Sequence, residues 1–446
     1  MNKKSLQPIL ASLGCIFAGM IVGFFVMLFL SISSEYTAPS DAFLGFGKLL
    51  IGPFGSGNFK MIQADLGNMI FYSVPLIFTG LSVAIAFKTG LFNIGAPGQY
   101  LMGIMGSLLV ALSIHASTGF GKFMVWVLAL IVGALLGALW GAIPGAFKSL
   151  LKVNEVIVCI MTNWIAANIV TWVFSKTNLQ NVSMGKTAYL VTTSTTGAST
   201  PTLGLDKLLK GSYVDCGILI AILVAVGVYI LLNKTVFGYE LKACGYNKNA
   251  SIYAGMNAKR NIILSMAIAG GLSAMGGALY YLNPGIEFNY LSVYMSLPAT
   301  GFNGIPVALL AGSNPLGVIF SGVLLQYLAM GGQYLQGIGF NKYIADIIVA
   351  VIIYFAGFVR LITELIQRAK TQKAEKKENL ASTADENRDK NSEKTIKKTF
   401  CGIIEKIKSK FKKTFSVIID KIKSKFKKNN TEKKDDDTEV KEDGNE

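Results

Sequence analysis

The sequence has 446 residues, 52% of them hydrophobic and only 15% charged, with a mean hydropathy of +0.48. A soluble domain carries about a quarter charged residues, so a chain this apolar needs lipid as its solvent and reads as a polytopic membrane protein. The net charge of +16 does not signal nucleic acid, because residues 364–446 hold 23 of the 42 Lys and Arg and 17 of the 26 Asp and Glu.

Charge-free apolar windows of about 20 residues mark membrane spans. They fall at about 8–31, 66–87, 91–114, 123–147, 156–175, 216–233 and 262–282. An interrupted pair at about 302–312 and 315–333 follows, then a last span at about 343–363. Ser313-Asn314-Pro315 breaks the apolar run inside the pair, so ten spans are expected, with eight or nine as the alternatives. Ser12-Leu13-Gly14-Cys15 has a faint likeness to a lipoprotein cleavage box, but the apolar run continues to Leu30, which predicts an uncleaved first span. The five cysteines (Cys15, Cys159, Cys216, Cys244 and Cys401) are scattered and suggest neither a metal site nor a disulfide framework.

Gly133, Gly137, Gly141 and Gly145 recur every fourth position of the fourth span, and Gly270, Gly271, Gly276 and Gly277 cluster in the seventh. Both sets read as faces for close helix approach rather than as substrate contacts. Pro75 and Pro144 fall inside spans and are expected to kink them.

Orientation follows from the basic residues. With the N-terminus inside, the inner connections before the tail carry Lys3, Lys4, Lys88, Lys148, Lys152, Lys234, Lys242, Lys248, Lys259, Arg260 and Arg360 against only Glu155 and Glu240, a net +9. The outer connections carry eight lysines and seven acids, a net +1. The asymmetry predicts both termini on the cytoplasmic side.

Some chemistry is missing. No span contains the row of ionisable residues that ion-driven carriers use as relays; Asp346, at an outer end, comes nearest. The sole histidine, His115, sits at the outer end of the third span, and no nucleophile triad or zinc motif is present. Gly185-Lys186-Thr187 imitates the end of a phosphate loop, but Gln180 stands where its first glycine belongs. Energy for active transport must therefore come from another subunit.

Between the sixth and seventh spans lies the longest inner connection before the tail, 234–261. Its apolar side chains are interleaved with small ones. Lys248 to Ala254 fits a short helix with Asn247 as N-cap and Gly255 as a C-terminal stop. Such a helix suits either docking on another protein or an ordered interfacial loop.

The tail has a different composition. Residues 366–399 read as a flexible charged linker. Residues 400–430 hold two near-copies, IIEKIKSKFKK and IIDKIKSKFKK, with apolar residues at helical spacing among lysines. They are expected to lie on anionic lipid as basic amphipathic helices, a solvated tail being the alternative. Residues 431–446 are acidic and expected to be disordered.

GYELKACGYNKNASIYAGMNAKRN (238–261) resembles the coupling loop of ABC-importer permeases of the branched-chain amino-acid, ribose and nucleoside class. KTGLFNIGAPGQYLMG (88–103), NEVIVCIMTNWIA (154–166) and GFNGIPVALLAGSNPLG (301–317) resemble other blocks of that class, in the same order over about 1–365. The wording is most similar to permeases of nucleoside importers served by a receptor of the basic membrane lipoprotein type. One departure is Pro97, which stands where that group usually has Glu.

The resemblance implies an all-α polytopic transmembrane domain (1–365) with inverted repeats over spans 2–5 and 7–10. Gly90-Leu91-Phe92-Asn93-Ile94-Gly95 and Gly301-Phe302-Asn303-Gly304-Ile305-Pro306 give a weak echo of that repeat. It further implies a separate ATPase subunit using ATP and Mg, a second and non-identical permease subunit, and an external substrate-binding lipoprotein, with no cofactor on this chain and a place in the bacterial plasma membrane. Gly238, Gly245, Asn247, Ala250, Ile252, Ala254 and Gly255 become the expected ATPase-coupling residues. A neutral nucleoside asks for hydrogen-bonding and aromatic groups, so Asn93, Gln99, Asn163, Phe302 and Asn303 are candidate path residues; cross-helix bonding is the plainer alternative for each amide. Ribose or another sugar is the alternative substrate, and a secondary carrier or channel the alternative class.

Overall fold

The computed structural model describes residues 3–33, 37–181, 185–187, 198–340 and 343–357. The chain divides into a unit Met1–Ile366 and a second unit Gln367–Glu446. The tail segments expected at 366–399, 400–430 and 431–446 lie outside the described residues.

The described chain is helical: α1 (Lys3–Ser33), α2 (Pro39–Ile51), α3 (Phe59–Lys88), α4 (Ala96–Ser113), α5 (Gly119–Leu150), α6 (Glu155–Lys176), α7 (Leu205–Leu208), α8 (Gly217–Lys234), α9 (Val236–Tyr246), α10 (Lys248–Tyr253), α11 (Ala258–Tyr281), α12 (Ala299–Leu310), α13 (Pro315–Gln333) and α14 (Tyr343–Gly357). Gln180–Asn181 and Lys186–Thr187 form a minimal antiparallel ribbon. That places Lys186 on a strand, with Glu287 at 3.7 Å, and not in a phosphate loop.

Among the described residues, seven helices are long and apolar enough to cross a membrane: α3, α4, α5, α6, α8, α11 and Pro315–Ile338, which begins with α13. The shorter apolar stretches Phe17–Ser33 and Ala299–Leu310 fall at two further expected spans, and α14 at the last. With 12 residues, α12 reaches about 18 Å, short of a hydrocarbon core of about 30 Å. It is a half-span, turned into α13 by Gly312 and Ser313, both at positive φ, and by Asn314, whose side chain caps α13.

Two boundaries differ from the sequence expectation. The second span begins earlier, at Phe59, because Asn58 caps it and the helix runs on through Lys60, Gln63 and Asp65 before the charge-free stretch. The third begins later, at Ala96, because Gly90 at φ 73° ends α3 and the chain runs on without helix to Gly95. Helix α2 was not expected. It starts at Pro39 with Asp41 accepting from the Ala38 amide at 2.8 Å, and it buries Ala42, Gly45 and Leu49 in a small core with α1, α13 and α14.

Two four-helix sets, α3–α6 and α11–α14, exchange partners. α4 and α5 pack on α11, α12 and α13 pack on α3, and α3 packs on α11. The last pair is antiparallel: Thr89 Oγ1 lies 2.7 Å from Ser265 Oγ at one end, and Phe71 stacks on Tyr280 at the other. First helices of two repeats that run in opposite directions make the repeats inverted.

The glycines of α5 pack where expected, against α11. A Cβ on Gly141 would lie 2.4 Å from the Met266 carbonyl oxygen, and one on Gly270 would lie 2.2 Å from that of Gly137. Backbone therefore meets backbone along this seam. The apolar windows of α3 and α4 are 83% buried within the chain, that of α6 39% and those of α5 and α8 only 28%, so the latter three carry outward faces.

Candidate translocation and coupling site

The break between α3 and α4 organises the interior. Gly90 N donates to Phe87 O and Leu91 N to Ala86 O, closing α3. Pro97 then occupies the first turn of α4, where its missing N–H costs nothing. The Cβ that Gly301 lacks would lie 2.5 Å from Pro97 Cα, so α12 sits directly on this turn. The Ser273 hydroxyl of α11 donates to Ala96 O at 2.8 Å.

Three of the four amides expected to face a path, Asn93, Gln99 and Asn163, are buried. Asn93 Nδ2 donates to Ser82 Oγ at 2.9 Å and to Gln99 Oε1 at 2.8 Å, while Gln99 Nε2 returns a bond to Asn93 Oδ1 at 3.0 Å. Asn163 Oδ1 accepts from Gly98 N at 2.9 Å and its Nδ2 donates to Ile94 O at 2.9 Å, tying α6 to the end of the break and to the first turn of α4. In this conformation the amides form an internal latch, as buried polar groups must when they are satisfied. Phe302 is half-buried and Asn303 is exposed on α12. Ser82 and Ser273 were not singled out from sequence; an isolated serine in an apolar run carries little signal until the helices that meet there are known.

On the other side of the break lies the 234–261 connection. It folds as α9 and α10, the latter capped as expected: Asn247 Oδ1 accepts from Ala250 N at 3.0 Å, and Gly255 adopts φ 80°. Ala250, Ile252 and Ala254 are exposed, with Tyr246 and Tyr253 at 90% and 93% exposure beside them. Gly238 and Gly245 have a different place. A Cβ on Gly238 would lie 1.9 Å from Leu231 O of α8, and one on Gly245 would lie 2.4 Å from Lys88 O and 2.9 Å from Gly90 N. These two glycines seat α9 on α8 and on the α3 terminus, while α10 buries Ser251 against α9 and presents Ala250, Ile252 and Tyr253 outwards.

Asn154 caps α6 through Val156 N at 2.9 Å, and Glu155 joins Lys148 of α5 at 2.7 Å. At the far end of the bundle Asp215 is buried. Burial pushes its carboxyl up to about 6, against the opposing pull of Asn283 Nδ2 and Gly217 N.

Residues 66–357 match the family described as branched-chain amino acid transport system / permease component. The nucleoside ABC transporter permease protein NupB of Lactococcus lactis subsp. cremoris is 33% identical over 84% of this chain and 97% of its own length. The guanosine ABC transporter permease protein NupP of Bacillus subtilis is 34% identical over 79% of this chain and 94% of its own. The glucose ABC transporter permease protein TsgB13 of Haloferax volcanii is 26% identical over 66% and 76%. No solved structure matches. Inverted repeats around a broken helix, a match over more than half of the chain and a relative matched along nearly its whole length agree: the chain belongs to the branched-chain amino acid transport system permease component family, and is a multi-pass membrane subunit of an ABC transporter that hydrolyses no ATP itself.

Proposed function

We propose that this chain forms the solute path of an ATP-driven nucleoside importer and takes its power stroke through α10. The observation that carries the coupling is the seat of α9 and α10: an outward-facing capped helix on a support that touches the α3–α4 break backbone to backbone. The substrate class is supported by NupB and NupP, which are matched along nearly their full lengths at higher identity than the glucose permease. On this reading a separate ATPase holds ATP and Mg and receives α10, and a second, non-identical permease completes the path. A lipoprotein receptor delivers solute outside, and both termini are cytoplasmic. The repeats at 400–430 rest on anionic lipid.

Uptake of labelled nucleosides and of labelled ribose in a strain lacking this gene tests the substrate. Loss of nucleoside uptake alone is expected; a defect confined to ribose overturns it. For the coupling, Ala254→Arg is expected to abolish substrate-stimulated ATP hydrolysis by the assembled complex while leaving membrane insertion intact. Undiminished stimulation refutes the role of α10.

A further inference from the structure

Helix α6 has an outward face unlike those of α5 and α8. The exposed interior positions of α8 are Leu219, Ile222, Leu223, Val226, Gly227 and Ile230, and those of α5 are equally apolar. Near the middle of α6, Asn168 is exposed, and Trp164 and Trp172 stand four residues to either side at 42% and 64% exposure. Residues four apart share a helix face, so an amide lies between two indoles on one stripe. Among the described residues of α5, α6, α8 and α12, Asn168 and Asn303 are the exposed amides more than one turn inside the helix.

The two helices that carry these amides are pinned to the same turn of α4. Gly98 holds Asn163 of α6, and Pro97 holds Gly301 of α12. Asn168 lies about 7.5 Å along α6 from Asn163, and Asn303 two residues beyond Gly301. A polar group in the middle of a span is placed against protein or water and not against lipid tails.

We infer that Trp164, Asn168 and Trp172 of α6, with Asn303 of α12, border the solute path and recognise a flat, neutral, nitrogen-rich ring. The indoles offer stacking surfaces, and a carboxamide matches the donor–acceptor edge of a nucleobase. Asn168 keeps one donor on its own backbone, Nδ2 to Trp164 O at 2.8 Å, which orients the amide on this face. The buried amides of the latch hold the path-lining helices in place, and these exposed ones meet the solute. The inference rests on the nucleoside reading for its ligand, but not for the position of the path.

The test is thiol accessibility in the assembled transporter in whole cells, with a membrane-impermeant cationic methanethiosulfonate as probe. The unsubstituted chain gives the background, and surface abundance is measured for each variant. Asn168→Cys and Asn303→Cys are expected to label well above Leu223→Cys and Leu139→Cys, whose parent side chains are exposed at 70% and 66% on the apolar faces. Guanosine or adenosine is expected to slow labelling at Asn168→Cys. Labelling of either asparagine position no faster than the leucine controls overturns the path. Labelling slowed by ribose but not by nucleosides keeps the path and overturns the nucleoside reading. In uptake, Asn168→Ala is expected to raise KM for nucleosides about fivefold to tenfold, the loss of one hydrogen bond, and an unchanged KM overturns the contact.

Discussion

Pro97 and Gly301 meet where the two repeats cross. Pro97 is pre-set for the first turn of a helix, and Gly301 supplies the empty volume that lets α12 reach it. The two positions should respond unequally. Pro97→Ala keeps the helix start and is expected to cost less than about 1 kcal/mol. Gly301→Val drives a side chain into the proline ring and is expected to lower yield and thermal stability in detergent sharply. Equal effects would show that the contact is not tight. In the latch, Asn93→Ala leaves Ser82 and both polar ends of Gln99 short of partners, a loss of about 1–3 kcal/mol. Because those groups bond one another, Asn93→Ala with Gln99→Ala should cost less than the sum of the single variants. The sequence showed these amides as polar residues in an apolar setting, but not their partners. Partner choice depends on the break at Gly90, and a single glycine in a span does not reveal that it takes a left-handed conformation.

Asp215 makes a prediction about pH. Its carboxyl is raised from 3.8 to about 6 because burial disfavours the charged form. The folded state therefore holds the proton more tightly than the unfolded one. The corresponding stabilisation is complete below the unfolded value and is lost as pH rises from about 4 through about 6, on the order of 3 kcal/mol in all. Thermal stability of the purified protein should fall across that window, and Asp215→Asn should flatten this part of the profile. The same variant should be less stable overall, since its new NH2 group faces Asn283 Nδ2, which now donates to the carboxylate.

At the scale of elements, the seam between α5 and α11 and the outward face of α8 are opposites. Both contain glycine within an apolar helix. A Cβ on Gly141 would meet Met266 O at 2.4 Å, whereas one on Gly227 would meet nothing within 4 Å. Gly141→Ala is expected to be severely destabilising, and Gly227→Ala to be neutral or to stabilise by up to about 1 kcal/mol through helix propensity. Unfolding midpoints of the two variants decide it. The period-four glycines disclosed the seam in advance because that spacing has one simple use. Helix α2 was hidden because Lys48 and the turn residues around it give its stretch the composition of a loop; in the fold Lys48 Nζ instead donates to Gly55 O, capping the connection to α3.

At the scale of the whole molecule, two inverted sets share one design. A long first helix packs against its counterpart, and a break follows it. The weak echo between residues 90–95 and 301–306 falls beside a contact between the repeats, since Gly301 meets Pro97, two residues past the first segment. The segment GLFNIGAPGQ that joins these parts is the hub: α6, α11 and α12 all attach within its length. Membrane character and the number of hydrophobic segments could be read from composition because lipid leaves few alternatives for an apolar chain. Which polar residues face inwards and which face outwards could not, because that depends on the rotation of each helix.

The seat of α9 has a mechanical consequence. Gly238 rests on the backbone of α8 and Gly245 on that of Lys88–Gly90, with no side chain between them at either contact. Side-chain contacts yield by changing rotamer, and a joint built from them behaves as a spring. A joint between peptide planes has almost no such compliance. A load placed on α10 would therefore reach the end of α3 with little lost to deformation, which makes α9 a strut.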